Sequence, residues 1–140
     1  MIDKAYDKAA LLHGHRCPGL AIGVRAAQEA RRLLPFSEQD VEERQIYCLA
    51  EGRACYLDGI QALSGCTVGN GHLLIRSTGT AAFSFYHLGR EAGLRLALKP
   101  LDDTLSREEK TRRILHAPAE EIFLLSSPTL PLSAVLAAEP

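Results

Sequence analysis

The spacing of apolar side chains predicts two helices at the start of the chain. Apolar residues recur at helical intervals over residues 3–12, and Gly14 suits the end of that helix. Pro18 suits the first turn of a second helix, whose apolar positions recur as far as Leu34. Pro35 then ends the run, because proline cannot continue a helix.

The rest of the chain shows shorter strand and helix patterns. Glycine-containing turns separate three strand patterns in the middle, which predicts a meander. The resulting order is α-α-β-α-β-β-β-α-β, which is typical of an α+β fold with a mainly antiparallel sheet. We expect one domain over 1–140, with 127–140 as a loose tail. The predicted strands are 45–51, 72–77, 81–88, 94–99 and 120–127, and the later helices are 53–65 and 106–116, the last with a capping box.

Composition and charge narrow the class of protein. The chain has 140 residues, of which 46% are hydrophobic and 24% charged, as in an ordinary globular domain. Its net charge of -1 creates no field that would attract nucleic acid or an anionic membrane. No apolar run approaches the roughly 18 residues of a membrane helix, and the first residues are too charged for a signal peptide. We therefore expect a cytoplasmic protein with neither nucleic-acid nor membrane partners.

The chain contains four cysteines, at positions 17, 48, 55 and 66. In a reducing compartment such cysteines are expected to be thiols or metal ligands rather than disulfides. No pair has the C-x-x-C spacing of a zinc ribbon or a thioredoxin-type motif. Cys48 lies in a strand pattern and is predicted to belong to the core.

The segment HGHRCPG, residues 13–19, places three metal-binding side chains at alternate positions. If the segment is extended, His13, His15 and Cys17 point to the same side. Pro18 favours an extended backbone at Cys17, and the helix that begins there favours a thiolate through its dipole. The alternative is also open: His13 ends a helix, His15 lies in a loop, and Cys17 is a small buried side chain.

A second group of reactive side chains follows from a helical projection of residues 53–66. The projection places Cys55, Asp58 and Cys66 on one face and the large apolar residues on the other. The apolar face is predicted to pack in the core, and the Cys/Asp face to border a cleft shared with the HGHRC segment. The alternative is two buried cysteines and a solvated aspartate.

The glycine-dense segment GCTVGNG, residues 65–71, follows that helix directly. Its order of helix, loop and strand is the reverse of a P-loop or a dinucleotide-binding turn, so a phosphate-binding role is not favoured. We predict a tight turn that places Cys66 and Thr67 near the site.

Three segments together resemble the FmdE family, which is named for the E subunit of formylmethanofuran dehydrogenase. They are HGHRCPGLAIGVRAA, CYLDGIQALSGCTVGNGHL and GTAAFSFY, and the resemblance covers roughly residues 10 to 125. It implies an α+β domain, usually dimeric, with a cleft around the cysteines that can hold a metal. The residues at the matching positions are His13, His15, Cys17, Cys55, Asp58, Gln61 and Cys66.

The chain departs from the family pattern in two places. No cysteine follows Cys66, so it resembles a short form without the C-terminal four-cysteine zinc ribbon of longer members. Thr80 stands where members often carry a lysine, so no role of that lysine can be transferred.

The first hypothesis for function is a metal- or thiol-dependent protein of one-carbon or molybdenum/tungsten redox metabolism. Whether it is an enzyme, for example part of an oxidoreductase, is left open. Imidazole and thiolate donors favour a divalent metal, zinc first and other soft metals next. In a catalytic site Cys17 would be the nucleophile, His15 its base, and Asp58 the carboxylate that orients a histidine. Gln61 and Thr67 are candidate cofactor contacts, and the candidate ligands are His13, His15, Cys17, Cys55 and Cys66, with His13 either a ligand or a base.

The second hypothesis is a non-catalytic dimeric module that delivers metal or cofactor to a larger oxidoreductase. A third is a structural dimer with vestigial cysteines. Exposed strand edges are candidate dimer contacts. Gly19 and Gly23 are also candidates, because they lie one turn apart and allow a second backbone to approach closely.

Overall fold

A five-stranded sheet carries the helices of this domain, in a computed structural model that describes residues 1–137. If three short helices are set aside, the order of elements in that part is the predicted one, and the α+β class is confirmed. The strands are β1 (Ile46–Ala50), β2 (Leu73–Ile75), β3 (Ala82–His87), β4 (Ala92–Leu98) and β5 (Phe123–Ser126). The helices are α1 (Ile2–His13), α2 (Pro18–Leu33), α3 (Glu38–Glu42), α4 (Tyr56–Ser64), α5 (Arg107–His116), α6 (Ala119–Ile122) and α7 (Leu132–Ala137).

The sheet is mostly antiparallel, with the strand order β2-β1-β3-β4-β5. Strand β3 pairs antiparallel with both β1 and β4, and β4 pairs antiparallel with β5. Strand β2 instead pairs parallel with β1, with Cys48 opposite Leu73. The predicted three-strand meander is therefore wrong for β2. Helix α4 connects β1 to β2, and a helical crossover of this kind joins parallel strands.

The two faces of the sheet bury different clusters of apolar side chains. Because alternate residues of a strand point to opposite faces, Ile46 and Cys48 face the helices while Leu49 points away from them. The helix face forms the main core, in which Phe83 and Phe85 are fully buried. The opposite face, which we call the outer face, holds the smaller cluster of Leu49, Leu74, Tyr86 and Val135.

The tail that we expected to be loose contains a helix that covers part of the outer face. Helix α7 lies within it, and Val135 on that helix is 3% exposed. The segment before the helix is also attached, since the Tyr86 hydroxyl donates a hydrogen bond of 2.9 Å to the Leu130 carbonyl. The end of the predicted tail, residues 138–140, lies outside the described part of the chain.

Helix α2 is the central helix of the domain, and even its charged residues are buried. Arg25 and Glu29 form an ion pair with an N–O distance of 3.0 Å. Arg25 also donates to the Ile114 carbonyl of α5, and Arg32 donates to Glu29. The pair is therefore fully hydrogen-bonded, which offsets much of the cost of burying charge. Within residues 1–137 no helix combines the length and the apolar character needed to cross a bilayer.

Helices α2 and α4 touch backbone to backbone at two glycines. A Cβ atom added at Gly23 would lie 2.0 Å from the Tyr56 carbonyl oxygen, and one added at Gly59 would lie 2.6 Å from the Leu20 carbonyl oxygen. The close approach predicted at Gly23 is thus made by α4 of the same chain, not by a second copy. This crossing brings the start of α4 next to the start of α2.

Candidate metal centre

Four metal-binding side chains meet where α1 ends and where α2 and α4 begin. The donor atoms of His13, His15, Cys17 and Cys55 all lie within 4.8 Å of one another. His13 is the last residue of α1, and the two cysteines are the N-cap residues of α2 and α4. We call these four residues the His/Cys cluster.

A sharp turn, not a fully extended segment, brings the first three members together. His13 is still helical, and Gly14 ends α1 in a left-handed conformation with φ 92°. Glycine suits this position because side chains with a Cβ rarely adopt it. Only further on is the backbone extended, with φ -158° and ψ 161° at Cys17, as expected for a residue before proline.

The Cys17 sulfur is positioned by the helix that it caps. Its Sγ accepts a hydrogen bond from the Leu20 backbone N–H at 3.4 Å and lies 3.9 Å from His13 Nε2. The Tyr6 hydroxyl donates to the Cys17 carbonyl at 3.3 Å. Because α2 points its positive end at this sulfur, the site favours negative charge there.

A chain of hydrogen bonds from α4 holds the His13 ring. His13 Nδ1 lies 2.7 Å from Asp58 Oδ2, and the Gln61 amide nitrogen donates to Asp58 Oδ1 at 3.1 Å. The Gln61 amide oxygen in turn accepts from the Val68 backbone N–H at 3.0 Å. Asp58 thus has the geometry of the histidine-orienting carboxylate that we expected. The sequence analysis missed the link to Gln61, although its position three residues after Asp58 on a helix indicates one.

Cys55 brings the second sulfur to the cluster. Burial raises the pKa of its thiol, and the neighbouring Cys17 and Asp58 raise it further. The two sulfurs therefore resist carrying negative charge together, and a cation between them would relieve that repulsion. Gly19 makes room for this arrangement, since a Cβ there would lie 3.0 Å from the Cys55 Cβ.

Cys66, which we predicted to be a ligand, is not a member of the cluster. Helix α4 ends at Ser64, and Gly65 turns the chain with φ 80°, so the helical projection does not extend to residue 66. The Cys66 side chain is fully buried, with its Sγ 3.7 Å from the Ile46 carbonyl oxygen. Burial raises the pKa of its thiol to about 11. Cys48 is fully buried in the core, as expected.

The other predicted cofactor contact, Thr67, serves the turn that follows α4. Its backbone N–H donates to the Asn70 side chain at 3.1 Å, and its hydroxyl accepts from the Asn70 N–H at 3.0 Å. These bonds stabilise the turn locally. Gln61, by contrast, acts on the cluster through Asp58.

A polar cleft of about 490 Å³ lies beside Cys17, between α1, the start of α2 and α5. Two ion pairs line it: Arg16 with Asp7 at 2.6 Å, and His116 with Asp3 at 2.9 Å. The cleft gives solvent a route to the Cys17 side of the site.

The fold and the donor set together define an α+β domain with a candidate His/Cys metal centre. A family model described as "FmdE, Molybdenum formylmethanofuran dehydrogenase operon" matches residues 12–124. The chain therefore belongs to the FmdE family, and all four cysteines lie within the matched region.

Two similar proteins extend this comparison. The crystal structure of a tungsten formylmethanofuran dehydrogenase FmdE-like protein from Syntrophus aciditrophicus has 26% sequence identity and a TM-score of 0.74; the match covers 96% of this chain and 75% of that one. A "Probable S-adenosyl-L-methionine-binding protein" from Archaeoglobus fulgidus is 29% identical over 118 residues, or 83% of this chain. This chain spans only 30% of the length of that curated relative.

Proposed function

We propose that this protein binds a soft divalent metal, zinc in the first instance, at the His/Cys cluster. The observation that supports this is the convergence of four donor atoms within 4.8 Å. In a tetrahedral zinc site, bonds of about 2.0–2.3 Å place the donors about 3.3–3.8 Å apart. Side-chain movements of about 1 Å would bring the present donors to those distances.

The surroundings of the donors also support a metal rather than four unrelated side chains. Asp58 contacts His13 in the way that carboxylates orient metal-bound histidines. The Leu20 N–H and the start of α2 favour a thiolate at Cys17. Two thiolates and two neutral imidazoles are a donor set that zinc prefers, and one that iron or copper also accepts.

We further propose a cytoplasmic role in one-carbon or molybdenum/tungsten redox metabolism. The family description and the tungsten-related structural relative support this direction. The alternative from the sequence, a dimeric accessory module that delivers metal or cofactor to a larger oxidoreductase, stays open. Metal lost readily to a mild chelator would favour delivery, and tightly held metal with an exchangeable water would favour catalysis by Cys17 and His15.

Elemental analysis of protein purified without added metal tests the metal site. We expect about one metal ion per chain in the wild type, and large losses in Cys17→Ser and Cys55→Ser. Cys66→Ala is the matched control, because it removes a buried thiol outside the cluster. Wild-type protein with less than about 0.1 ion per chain would contradict the proposal, and so would equal losses in the control variant.

We propose that the protein is a homodimer, as the family resemblance implies. Strand β5 supports this, because it is an edge strand and Leu124 on it is 60% exposed. Sedimentation equilibrium should give a mass near twice the 15.3 kDa of one chain. Leu124→Lys should shift that mass toward the monomer if β5 forms the contact, and Leu11→Lys on α1 is the matched control on another exposed leucine.

A further inference from the structure

We propose that the two histidines of the cluster have different roles: His13 is a permanently held ligand, and His15 is exchangeable. Departure of His15 would open one position to solvent, where a small external donor of imidazole or thiolate type can bind. This inference rests on the proposed function, namely that the cluster binds a metal. It concerns which of the chain's own residues holds the metal and which one releases it.

The hydrogen bonds around His13 determine which of its nitrogens carries the proton. The Val68 backbone N–H can only donate, so the atom of Gln61 that faces it must be the amide oxygen. The Gln61 nitrogen therefore donates to Asp58, and the carboxylate remains an acceptor for the His13 Nδ1 proton. Nε2 is then left with its lone pair directed toward the cluster, where it lies 3.9 Å from Cys17 Sγ.

These bonds also fix the orientation of the His13 ring. Its side chain is 12% exposed, and it joins the end of α1 to α4 through Asp58. A ligand held in this way is already oriented before the metal binds, so little freedom is lost on binding.

His15 has none of these restraints. It is exposed, and no group among residues 1–137 forms a hydrogen bond with its ring. Its ring contacts the His13 ring, with centroids 4.4 Å apart and planes tilted by 43°. It follows Gly14, whose left-handed backbone lies in open space. Only the metal would hold this ring in place, so it can leave without breaking any other contact.

The consequence is a site with three held donors and one position that faces solvent. His13, Cys17 and Cys55 are each fixed by a helix end, whereas His15 lies in the connection between α1 and α2. Three protein ligands with one open position is the arrangement of catalytic zinc sites, and four fixed ligands is that of structural ones. Exchange at His15 would convert the second arrangement into the first.

Titration with Co²⁺, which reports tetrahedral thiolate coordination by its visible absorption, tests the inference. We expect His13→Ala to weaken Co²⁺ binding by about 100-fold, and His15→Ala by about tenfold or less. Addition of imidazole to the Co²⁺ complex of His15→Gly should change its spectrum toward that of the wild type. His116→Ala, at an exposed histidine outside the cluster, is the control and should bind Co²⁺ like the wild type.

The outcomes separate this inference from the proposed function. Wild-type protein that binds no Co²⁺ would overturn both. Wild-type protein that binds Co²⁺, with equal losses in the two histidine variants or with a larger loss in His15→Ala, would overturn only the inference. An unchanged spectrum of His15→Gly with imidazole would do the same.

A measurement on metal-free protein gives a second, independent test. Long-range ¹H–¹⁵N correlation spectra at mildly alkaline pH distinguish the two neutral tautomers of each histidine. We expect His13 to be the Nδ1–H tautomer alone and His15 to show averaged signals. Gln61→Leu should abolish the preference at His13 and weaken Co²⁺ binding, whereas Gln61→Glu, which retains an oxygen for the Val68 N–H, is the comparison for folding. Averaged signals at His13 in the wild type would refute the inference even if no variant folds.

Discussion

The backbone contact between α2 and α4 predicts that Gly23→Ala will destabilise the protein and open the His/Cys cluster. Gly23 lies in the interior of α2, where alanine is normally favoured over glycine by about 1 kcal/mol. An isolated α2 would therefore become more stable. In the folded protein, however, the added Cβ would lie 2.0 Å from the Tyr56 carbonyl oxygen.

The size of the effect follows from that distance. An ordinary contact requires at least 3.4 Å, so the two helices must separate locally by about 1.4 Å. The atom in the way belongs to the backbone of α4 and cannot rotate aside. Overpacking of a core costs about 1–3 kcal/mol, and a backbone clash of this size belongs at the upper end. After the gain in helix propensity, we expect a net loss of about 2 kcal/mol.

The same displacement should affect the cluster, because α4 carries Cys55 and Asp58. Metal ligands tolerate errors of only about 0.2 Å, so we expect metal affinity to fall by roughly 10- to 100-fold. Urea denaturation of metal-free protein measures the first effect, and competition with a chelator measures the second. Gly69→Ala is the control, since its Cβ would meet only the Thr67 hydroxyl at 3.8 Å. If Gly23→Ala proves as stable as Gly69→Ala, the described helix contact is wrong.

Three further predictions concern the rest of the domain. Because burial raises the pKa of Cys66 from 9.0 to about 11, its contribution to stability is complete below pH 9 and is lost as the pH rises from 9 to 11. The free energy of unfolding of the wild type should therefore fall more steeply than that of Cys66→Ala by about 1.4 kcal/mol per pH unit in that range; parallel curves would contradict this. Glu51→Gln should cost about 1–3 kcal/mol, because it breaks the paired hydrogen bonds of 2.7 and 2.9 Å from Arg95, and Glu51→Gln combined with Arg95→Met should recover part of the loss. Val135→Ala should cost about 1–2 kcal/mol in urea denaturation, whereas no cost would mean that α7 is detached.

Much of the fold could be predicted because its helices and strands carry local signals. Gly14 and Gly65 both adopt the left-handed conformation that ends a helix, and Ser106 forms the expected capping box with Glu109. The position of β2 could not be predicted in the same way. Its pairing with β1 depends on the crossover through α4, and short apolar strands carry no signal for their partner.

The candidate site shows the same division between local and distant effects. The convergence of His13, His15 and Cys17 depends on a few neighbouring residues and could be inferred from their spacing. The place of Cys55 beside them depends on the crossing of α2 over α4, which the sequence indicated only through its glycines. Cys66 was misplaced because a single turn after the helix end reverses the direction of the chain, and a helical projection cannot represent that turn.

The tail prediction failed to include a helix for a different physical reason. Helix α7 has only six residues, and a helix of that length has little stability of its own. It forms against the outer face of the sheet, where Val135 fills a place between Leu49 and Tyr86. No pattern within the tail reveals that this face needs a cover.

The sheet separates α7 from the helix side, where the His/Cys cluster lies, and this has a practical use. Leu136 on α7 is 39% exposed, so a label or a surface tether that does not rely on cysteine chemistry can be attached there. Molecules immobilised through the outer face would all present the cluster toward the solution. The domain could then serve as an oriented sensor layer in which ion capture is read out optically, without interference from the point of attachment.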